Sequence, residues 1–352
     1  MIFETKNFNF KEKDKTIIIA EVGVNHNGDK EIAKKMALVA KECGVDIVKF
    51  QAFDSSKEIS VIADKASYQK KEKSLNKSIN QLELCKSLEL SYDSLKEIKD
   101  YCNLLQIPFL CTAFEENSLN FLVDELKVKS LKIPSPEITN IPFLEKIGRK
   151  KIGVILSTGG SNISEVGEAV GTLLDSGCPE LVLMHCVSQY PAPFDEINIR
   201  AIRTMKKAFN LPVGFSDHSI GIIAPIVASV IGAVVIEKHF TLDRKMEGPD
   251  HKASIEPFEL KLLVDNVKIA NKCLGNNIKQ ASKCEYENIP LIRKSLVASL
   301  DLKKGTTICR EMVDIKRPEG GIEPRDFEKI IGLRLNKDIK ADNFIKWEDF
   351  HE

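Results

Sequence analysis

The sequence predicts an α/β protein built as a (β/α)8 (TIM) barrel with a small C-terminal domain. Eight short apolar runs alternate with amphipathic helical patterns over roughly 275 residues, the usual length of such a barrel. The chain has 352 residues, so a smaller second domain is expected after it. The runs lack polar alternation, as is typical of parallel strands buried on both faces. The predicted strands are Thr16–Ala20, Asp46–Phe50, Pro108–Cys111, Ser130–Ile133, Ile152–Leu156, Leu181–Met184, Pro212–Phe215 and Val234–Ile236.

Helices are predicted between these strands. Residues Asp29–Cys43 and Ser164–Ser176 carry apolar side chains at helical spacing. Turn and N-cap residues precede both, at Asn27–Asp29 and Ser161–Ser164. A doubly wound open sheet is the alternative architecture. It would be favoured by a glycine-rich phosphate turn after the first strand, and Glu21–His26 does not have the G-x-G-x-x-G pattern.

Composition indicates a cytoplasmic protein. Lys and Arg together number 51, as do Asp and Glu, so no general attraction to nucleic acid or to an anionic membrane is expected. Residues Met1–Lys15 lack the apolar segment of a signal peptide. The longest apolar stretch, around Ile222–Ala233, is too short to span a bilayer. The nine cysteines are scattered without a C-x-x-C pair, which predicts reduced thiols.

Polar residues lie at or just after the end of every predicted strand. One such residue is usually a loop hydrogen-bonding group, but all eight strands share the feature, and in a barrel these ends converge on the face that holds the chemistry. The residues are Glu21; Lys49 and Gln51; Thr112; Lys132, Ser135 and Glu137; Ser157 and Thr158; His185, Ser188 and Tyr190; Ser216, Asp217 and His218; and Glu237, Lys238 and His239.

Two histidines in this set predict a metal site. His218 and His239 follow adjacent strands, so their imidazoles can reach one divalent cation and leave positions open for water or substrate. A single histidine is more often structural, and it is the pairing that favours a metal. Asp217, Glu237 or Asp250 could add a carboxylate ligand or orient the imidazoles.

Two lysines in the set predict an anion site. Lys49 and Lys132 belong to the second and fourth strands, and several serines are expected near them. Two ammonium groups with hydroxyls suit a small dianion such as a phosphorylated acid. A Schiff-base lysine, as in an aldolase, is an alternative. A lysine that merely pairs with Glu21 or Glu137 is another.

Several long motifs resemble the sialic acid (N-acetylneuraminate) synthase family, which includes legionaminic and pseudaminic acid synthases. In the barrel they are IAEVGVNHNGD, VKFQAF, KIPSPE, LSTGG, HCVSQYPAPF, GFSDHSIGI and EKHFTLDRKMEGPDHKASIEP. Beyond it, RKSLVASLDLKKG and KRPEGGIEP resemble the family's antifreeze-like (SAF) domain. The resemblance implies a TIM-barrel catalytic domain over residues 1–274, a linker over 275–292 and an SAF cap over 293–352.

The resemblance implies an enzyme that condenses phosphoenolpyruvate with the open-chain aldehyde of N-acetylmannosamine and water, giving N-acetylneuraminate and phosphate. An N,N'-diacetyllegionaminate synthase, which takes 2,4-diacetamido-2,4,6-trideoxymannose, is the alternative. A non-catalytic sugar-binding scaffold is a remote one, because the lysines and histidines are all present. The metal implied is Mn²⁺ or Mg²⁺ on His218 and His239.

The family's other site residues carry over position by position. Those matching phosphoenolpyruvate ligands are Lys49, Thr112, Lys132, Ser135, Ser157, Ser188 and Ser216; those matching contacts to the sugar or the attacking water are Glu21, Gln51, Glu137, Tyr190 and Asp250. Arg317 of the KRP motif matches the arginine that reaches the sugar's N-acyl group from a partner subunit's cap. The resemblance thus implies a domain-swapped homodimer.

Four positions depart from the family pattern. The family's STPF motif of the third strand appears as Cys111–Phe114, with Ala113 in place of proline, Gly160 replaces a common methionine of the fifth-strand motif, and Glu319 stands where the family has a small residue. Pro136 replaces a small residue between Ser135 and Glu137. Because proline restricts the backbone, Pro136 is the departure most expected to alter phosphate or acceptor geometry.

Overall fold

A closed barrel of eight parallel strands forms the first part of the structure, a computed structural model that describes residues 16–64 and 80–350. The strands follow one another around the barrel in chain order, and the predicted fold class is confirmed. The N-terminal segment Met1–Lys15 lies outside the described residues. The strands are β1 (Ile17–Glu21), β2 (Ile47–Ala52), β3 (Phe109–Ala113), β4 (Ser130–Ile133), β5 (Gly153–Ser157), β6 (Leu181–Cys186), β7 (Val213–Asp217) and β8 (Val235–His239).

Several strands continue further than predicted. β8 ends at His239 rather than Ile236, and β7 ends at Asp217 rather than Phe215. Polar side chains suggested that these strands had ended, but their backbones stay paired: Asp217 lies in register with Lys238. The polar residues Ser216, Asp217, Glu237, Lys238 and His239 are therefore held by the sheet itself and not by loops.

Helices cover the outside of the barrel. Asp29 caps the first, accepting hydrogen bonds from the backbone N–H groups of Glu31 and Ile32, and for that reason the helix begins one residue later than predicted. No helix among residues 16–64 and 80–350 is long and apolar enough to cross a membrane. The helices are α1 (Lys30–Cys43), α2 (Ser55–Glu58), α3 (Gln81–Lys86), α4 (Tyr92–Leu104), α5 (Glu116–Asn120), α6 (Ile141–Arg149), α7 (Ile163–Asp175), α8 (Ala201–Phe209), α9 (Ile223–Val230) and α10 (Pro257–Leu274).

The barrel interior is apolar in its lower layers and polar at its upper end. Side chains alternate between the two faces of a strand, so every second residue points to the axis. On β1 these are Ile17, Ile19 and then Glu21; on β8, Val235 leads to Glu237 and His239. The apolar members pack into one buried cluster, which is Ile17, Ile19, Ile47, Leu110, Ile155, Val182, Met184 and Val235. This apolar cluster lies directly below the polar residues at the upper end of the barrel.

Residues Asn276–Glu352 form a second compact unit, separate from Met1–Gly275. Its two strands, β9 (Ser295–Ala298) and β10 (Val313–Lys316), pair in antiparallel fashion, and it contains two short helices, α11 (Ile289–Ile292) and α12 (Phe327–Ile330). Its own buried core includes Leu296, Ile308, Ile330, Leu335 and Ile345. Arg317 follows β10 directly and is exposed within this unit.

Candidate active site

The strand register brings the polar residues together in pairs. Glu21 of β1 lies opposite Lys49 on one side and His239 on the other. Thr112 lies opposite Lys132, and Ser216 opposite Glu237. Residues in register on adjacent parallel strands point to the same face of the sheet. These side chains therefore share the upper end of the barrel axis.

A cavity of about 330 Å³ opens at this end. Thirteen of the fifteen residues predicted for the site line it: Glu21, Lys49, Gln51, Thr112, Lys132, Ser135, Ser157, Ser188, Tyr190, Ser216, His218, His239 and Asp250. Glu137 is not among the lining residues; its carboxylate accepts a hydrogen bond from Asn140 Nδ2 at 2.6 Å. Arg317 belongs to the second unit.

Lys49 and Lys132 are joined through a buried carboxylate. Glu237 Oε1 lies 3.5 Å from Lys49 Nζ and 3.7 Å from Lys132 Nζ. Lys49 also contacts Glu21 at 2.8 Å and donates to Thr112 Oγ1 at 3.0 Å, while Lys132 donates to Ser157 Oγ. All three charged centres are at most 3% exposed. The lysines are thus fixed by short contacts before any ligand arrives.

The protonation of this network follows from burial and charge. Burial raises the pKa of Glu21 to about 7, although the Lys49 charge opposes it. Burial also acts to raise the pKa of Glu237, but the Lys132 and Lys49 charges outweigh it and hold that pKa low. Burial lowers the pKa of Lys132, partly offset by Glu237. Two ammonium groups thus face one firmly ionised carboxylate and one that titrates near neutrality, leaving positive charge for an anionic ligand.

Hydroxyl groups surround the lysines on the side of β4 to β7. Ser135 Oγ accepts a hydrogen bond from the Gly159 N–H at 2.9 Å and lies 3.3 Å from Cys186 Sγ. A Cβ on Gly159 would stand 2.2 Å from Ser188 Oγ and 2.9 Å from Ser135 Oγ, so a larger residue here would displace these hydroxyls. Pro136 falls in the short 3-10 turn Ser135–Thr139, where its missing N–H costs no hydrogen bond. The prediction that Pro136 alters ligand geometry stays a prediction.

His218 presents one nitrogen to the cavity. Its Nδ1 lies 2.6 Å from the Val187 carbonyl oxygen and must be the protonated nitrogen, because a carbonyl only accepts. Its Nε2 therefore carries the lone pair, which accepts a hydrogen bond from Tyr190 Oη at 3.0 Å. Burial lowers the pKa of His218 to about 4, so the ring is neutral at physiological pH.

His239 stands beside it. The two ring centroids are 5.6 Å apart, and Tyr190 stacks on His218 at 4.1 Å. His239 Nδ1 is buried and has no hydrogen-bond partner in the described part of the chain; Asp250 Oδ2 is 3.7 Å away. Burial and the neighbouring positive charges hold the pKa of His239 well below its ordinary value. Burial raises the pKa of Asp250 to about 6.

These histidines fit a divalent cation. Both rings are neutral, and the buried Nδ1 of His239 is an orphaned polar atom of the kind that a metal ligand leaves when the metal is absent. Within residues 16–64 and 80–350, no three His, Cys, Asp or Glu side chains are grouped as a metal site. The two histidines therefore suit a cation that takes two nitrogen ligands from the protein and leaves its other coordination positions open to water and substrate.

Asp217 has a structural role and not the ligand role considered from the sequence. It points away from the cavity, pairing with Lys238 Nζ at 2.6 Å and accepting from the Ser219 N–H at 2.9 Å. Both members of the ion pair are at most 1% exposed. The pair fixes the turn that carries His218, because it ties both sides of that residue to β8.

The loop after β1 is tied to the loop after β8. Asn25 Nδ2 donates to the Phe240 carbonyl at 2.9 Å and to Ser254 Oγ at 2.8 Å, and Asn27 Nδ2 donates to the Glu247 carbonyl at 2.8 Å. These bonds explain the asparagines of the first motif. They hold together the two loops that flank Glu21 and His239.

Sequence reasoning missed part of the lining. The sequence suggests Glu237 only as a metal ligand or orienting group, although its position two residues before His239 on the same strand indicates that it faces the axis. Cys186 is similarly placed on β6. A largely apolar side of the cavity was not predicted at all: Val24, Gln81, Leu84, Cys85, Leu88, Phe114 and Pro249. These residues lie outside strands, so strand-end reasoning gave no signal for them.

The chain resembles known proteins over nearly its whole length. The NeuB family profile matches residues 36–279, and the SAF domain profile matches residues 293–351. An N,N'-diacetyllegionaminic acid synthase of Campylobacter jejuni is 46% identical over 94% of this chain and 99% of its own. A protein of the same name from Legionella pneumophila is 43% identical, over 94% and 93%. A crystal structure of N-acetylneuraminic acid synthetase from Leptospira borgpetersenii, in complex with citrate, matches with a TM-score of 0.69 and 34% identity, over 79% of this chain and 91% of that one.

Proposed function

Because the chain belongs to the NeuB family of synthases, we propose that it condenses phosphoenolpyruvate with 2,4-diacetamido-2,4,6-trideoxymannose and water, giving N,N'-diacetyllegionaminate and phosphate. The family and the phosphoenolpyruvate-dependent condensation with a sugar are confirmed by the matches above. The observation that carries the proposal is the meeting of a buried lysine pair with two neutral imidazoles in one cavity. An anion site beside a carbonyl-activating site is what this reaction needs.

The choice of acceptor rests on the relatives. Two proteins named as diacetyllegionaminic acid synthases are 46% and 43% identical over nearly the entire chain. The sialic acid synthetase is 34% identical. These identities favour the diacetamido acceptor over N-acetylmannosamine, the acceptor first expected from the sequence. The motifs do not distinguish the two acceptors, because the whole family shares them.

Phosphoenolpyruvate is assigned to the lysine end of the cavity. In this proposal Lys49 and Thr112 hold its carboxylate, while Lys132, Ser135, Ser157 and Ser216 surround its phosphate, with Ser188 beside them. Charge-assisted hydrogen bonds from fixed donors are stronger than bonds to water in such a buried site. Glu237, between the two ammonium groups, would offset their mutual repulsion and hold both beside the ligand.

The reaction joins C3 of phosphoenolpyruvate to the aldehyde carbon of the sugar, after which water adds to C2 and phosphate leaves with cleavage of the C–O bond. Glu21 is suited to take a proton from that water, since its pKa lies near neutrality and Gln51 Nε2 donates to it at 2.7 Å. Tyr190 and Asp250 would contact the sugar at the histidine end. Glu137 does not line the cavity, so its contact with the sugar or the attacking water stays a prediction.

The cofactor proposed is Mn²⁺ or Mg²⁺ held by His218 and His239. When bound there, it would supply Lewis-acid polarisation of the aldehyde oxygen. The Tyr190 hydroxyl must then release His218 Nε2, with which it is paired at 3.0 Å. We also propose the homodimer implied by the family resemblance, with Arg317 of the partner subunit reaching the acyl group.

The acceptor assignment is tested by steady-state kinetics. With phosphoenolpyruvate saturating, phosphate release should show a kcat/KM for 2,4-diacetamido-2,4,6-trideoxymannose at least about 10-fold above that for N-acetylmannosamine, because each lost group contact is worth about that factor. Mass spectrometry of the product confirms that a nine-carbon 2-keto acid forms. A higher kcat/KM for N-acetylmannosamine would contradict the assignment.

A further inference from the structure

Resting on the proposed function, we propose that Gln81, Leu84, Cys85 and Leu88, here called the α3 wall, bind the second acetamido group of the acceptor. The four residues recur at intervals of three, one and three, so they lie on one face of α3 and the turn that follows it. All four line the cavity. Apart from the Gln81 carboxamide and the Cys85 thiol, they add apolar surface to the cavity that the charged strand ends also line.

The carboxamide of Gln81 is incompletely paired. Its Nε2 donates to Cys85 Sγ at 3.4 Å, a weak bond, and its Oε1 is buried with no hydrogen-bond partner among residues 16–64 and 80–350. A buried acceptor without a partner is unfavourable, because the water it lost has not been replaced. Such an atom on a cavity wall is satisfied if the ligand brings a donor, and an amide N–H is a donor of matching chemistry.

The neighbours of Gln81 favour an acylated amine over a free hydroxyl. Leu84 and Leu88 are buried, and burial raises the pKa of the Cys85 thiol to about 11, so all three present uncharged, weakly polar surface. An acetamido group whose N–H bonds Gln81 Oε1 places its methyl among them. A hydroxyl at the same carbon would leave that apolar surface uncovered.

The α3 wall stands close to the proposed acceptor end. Asp250 lines the same cavity as the four residues of the α3 wall. Asp250 in turn lies 3.7 Å from His239 Nδ1. With the aldehyde at the histidines, a substituent further along the sugar can meet the α3 wall. This location suits the 4-acetamido group that distinguishes the proposed acceptor from N-acetylmannosamine.

The test is Gln81→Met, which keeps the side-chain length and removes the acceptor oxygen. We expect kcat/KM for the diacetamido acceptor to fall about 10-fold to 100-fold, because the planar amide N–H cannot turn away and is left buried without a partner. For 2-acetamido-2,6-dideoxymannose, which has a 4-hydroxyl, we expect a loss below about 3-fold, since a hydroxyl rotates to another partner. The capping bonds of α3 come from Asn80 and Glu83 and stay intact.

Lys86→Met is the matched control, because Lys86 is exposed on the same helix and does not line the cavity. This variant should leave kcat/KM for both acceptors unchanged. If Gln81→Met fails to fold, as judged by thermal unfolding, Gln81→Asn withdraws the carboxamide by one methylene and should give the same split. Equal losses for both acceptors, or no loss, overturn the assignment of the α3 wall. A wild type that prefers N-acetylmannosamine overturns the proposed acceptor instead.

Discussion

Removing divalent cations from the enzyme is expected to abolish phosphate release from phosphoenolpyruvate and acceptor, by at least about 10³-fold, with Mn²⁺ restoring it. Lewis-acid stabilisation of developing charge on an aldehyde oxygen is worth several kcal/mol, and each 1.36 kcal/mol is about tenfold in rate. The two cavity histidines are neutral and therefore ready to bind a cation. The measurement is phosphate release after EDTA treatment and desalting, with and without added Mn²⁺ or Mg²⁺.

Two controls test whether the loss of activity after EDTA treatment is due to removal of the metal. Circular dichroism of the EDTA-treated enzyme should match that of untreated enzyme, because the barrel fold is held by its own core and not by the metal. Calcium, which favours more oxygen ligands than this site offers, should restore little activity. Full activity in verified metal-free enzyme would show that His218 and His239 hold no functional cation.

Replacing Lys132 by methionine is expected to lower kcat/KM for phosphoenolpyruvate by about 10³-fold or more. Lys132 is 2% exposed, donates to Ser157 and stands 3.7 Å from Glu237. Its loss removes a charged donor from the proposed phosphate site, which lowers kcat/KM. It also leaves Glu237 less compensated, and breaking such a buried pair lowers the free energy of unfolding by about 3–5 kcal/mol. Steady-state kinetics with phosphoenolpyruvate as the varied substrate measures the effect.

Lys129→Met serves as its control, since Lys129 is exposed just before β4, at the opposite end of the same strand. This variant should retain wild-type kinetics. The KM for the sugar acceptor should change far less in Lys132→Met than the KM for phosphoenolpyruvate. Comparable losses for both substrates would mean that Lys132 maintains the cavity as a whole and does not bind the phosphate.

The barrel could be predicted because its signal is local. A run such as Ile17–Glu21 carries its strand propensity and its polar end within five residues. Alternation along β8 even separates His239 and Glu237, which face the axis, from Lys238, which faces the helices. The prediction failed where polar side chains suggested strand ends, because backbone pairing continued through them.

The parts of the site that could not be predicted depend on contacts distant in sequence. The link between Lys49 and Lys132 runs through Glu237, which is more than a hundred residues from either. The pairing of Asp217 with Lys238 removed a carboxylate from the candidate ligands. The α3 wall lines the cavity although it lies between β2 and β3 and not at a strand end, so no strand-end pattern marks it.

The most direct test of the site is anomalous X-ray diffraction at the manganese edge, from crystals grown with Mn²⁺ and phosphoenolpyruvate. The arrangement described here predicts one strong peak within bonding distance of a ring nitrogen of His218 and of His239, with phosphate density beside Lys132 and Ser157. A peak elsewhere, or none at the two histidines in enzyme whose activity depends on Mn²⁺, would contradict the metal assignment. Phosphate density away from the lysines would contradict the anion site.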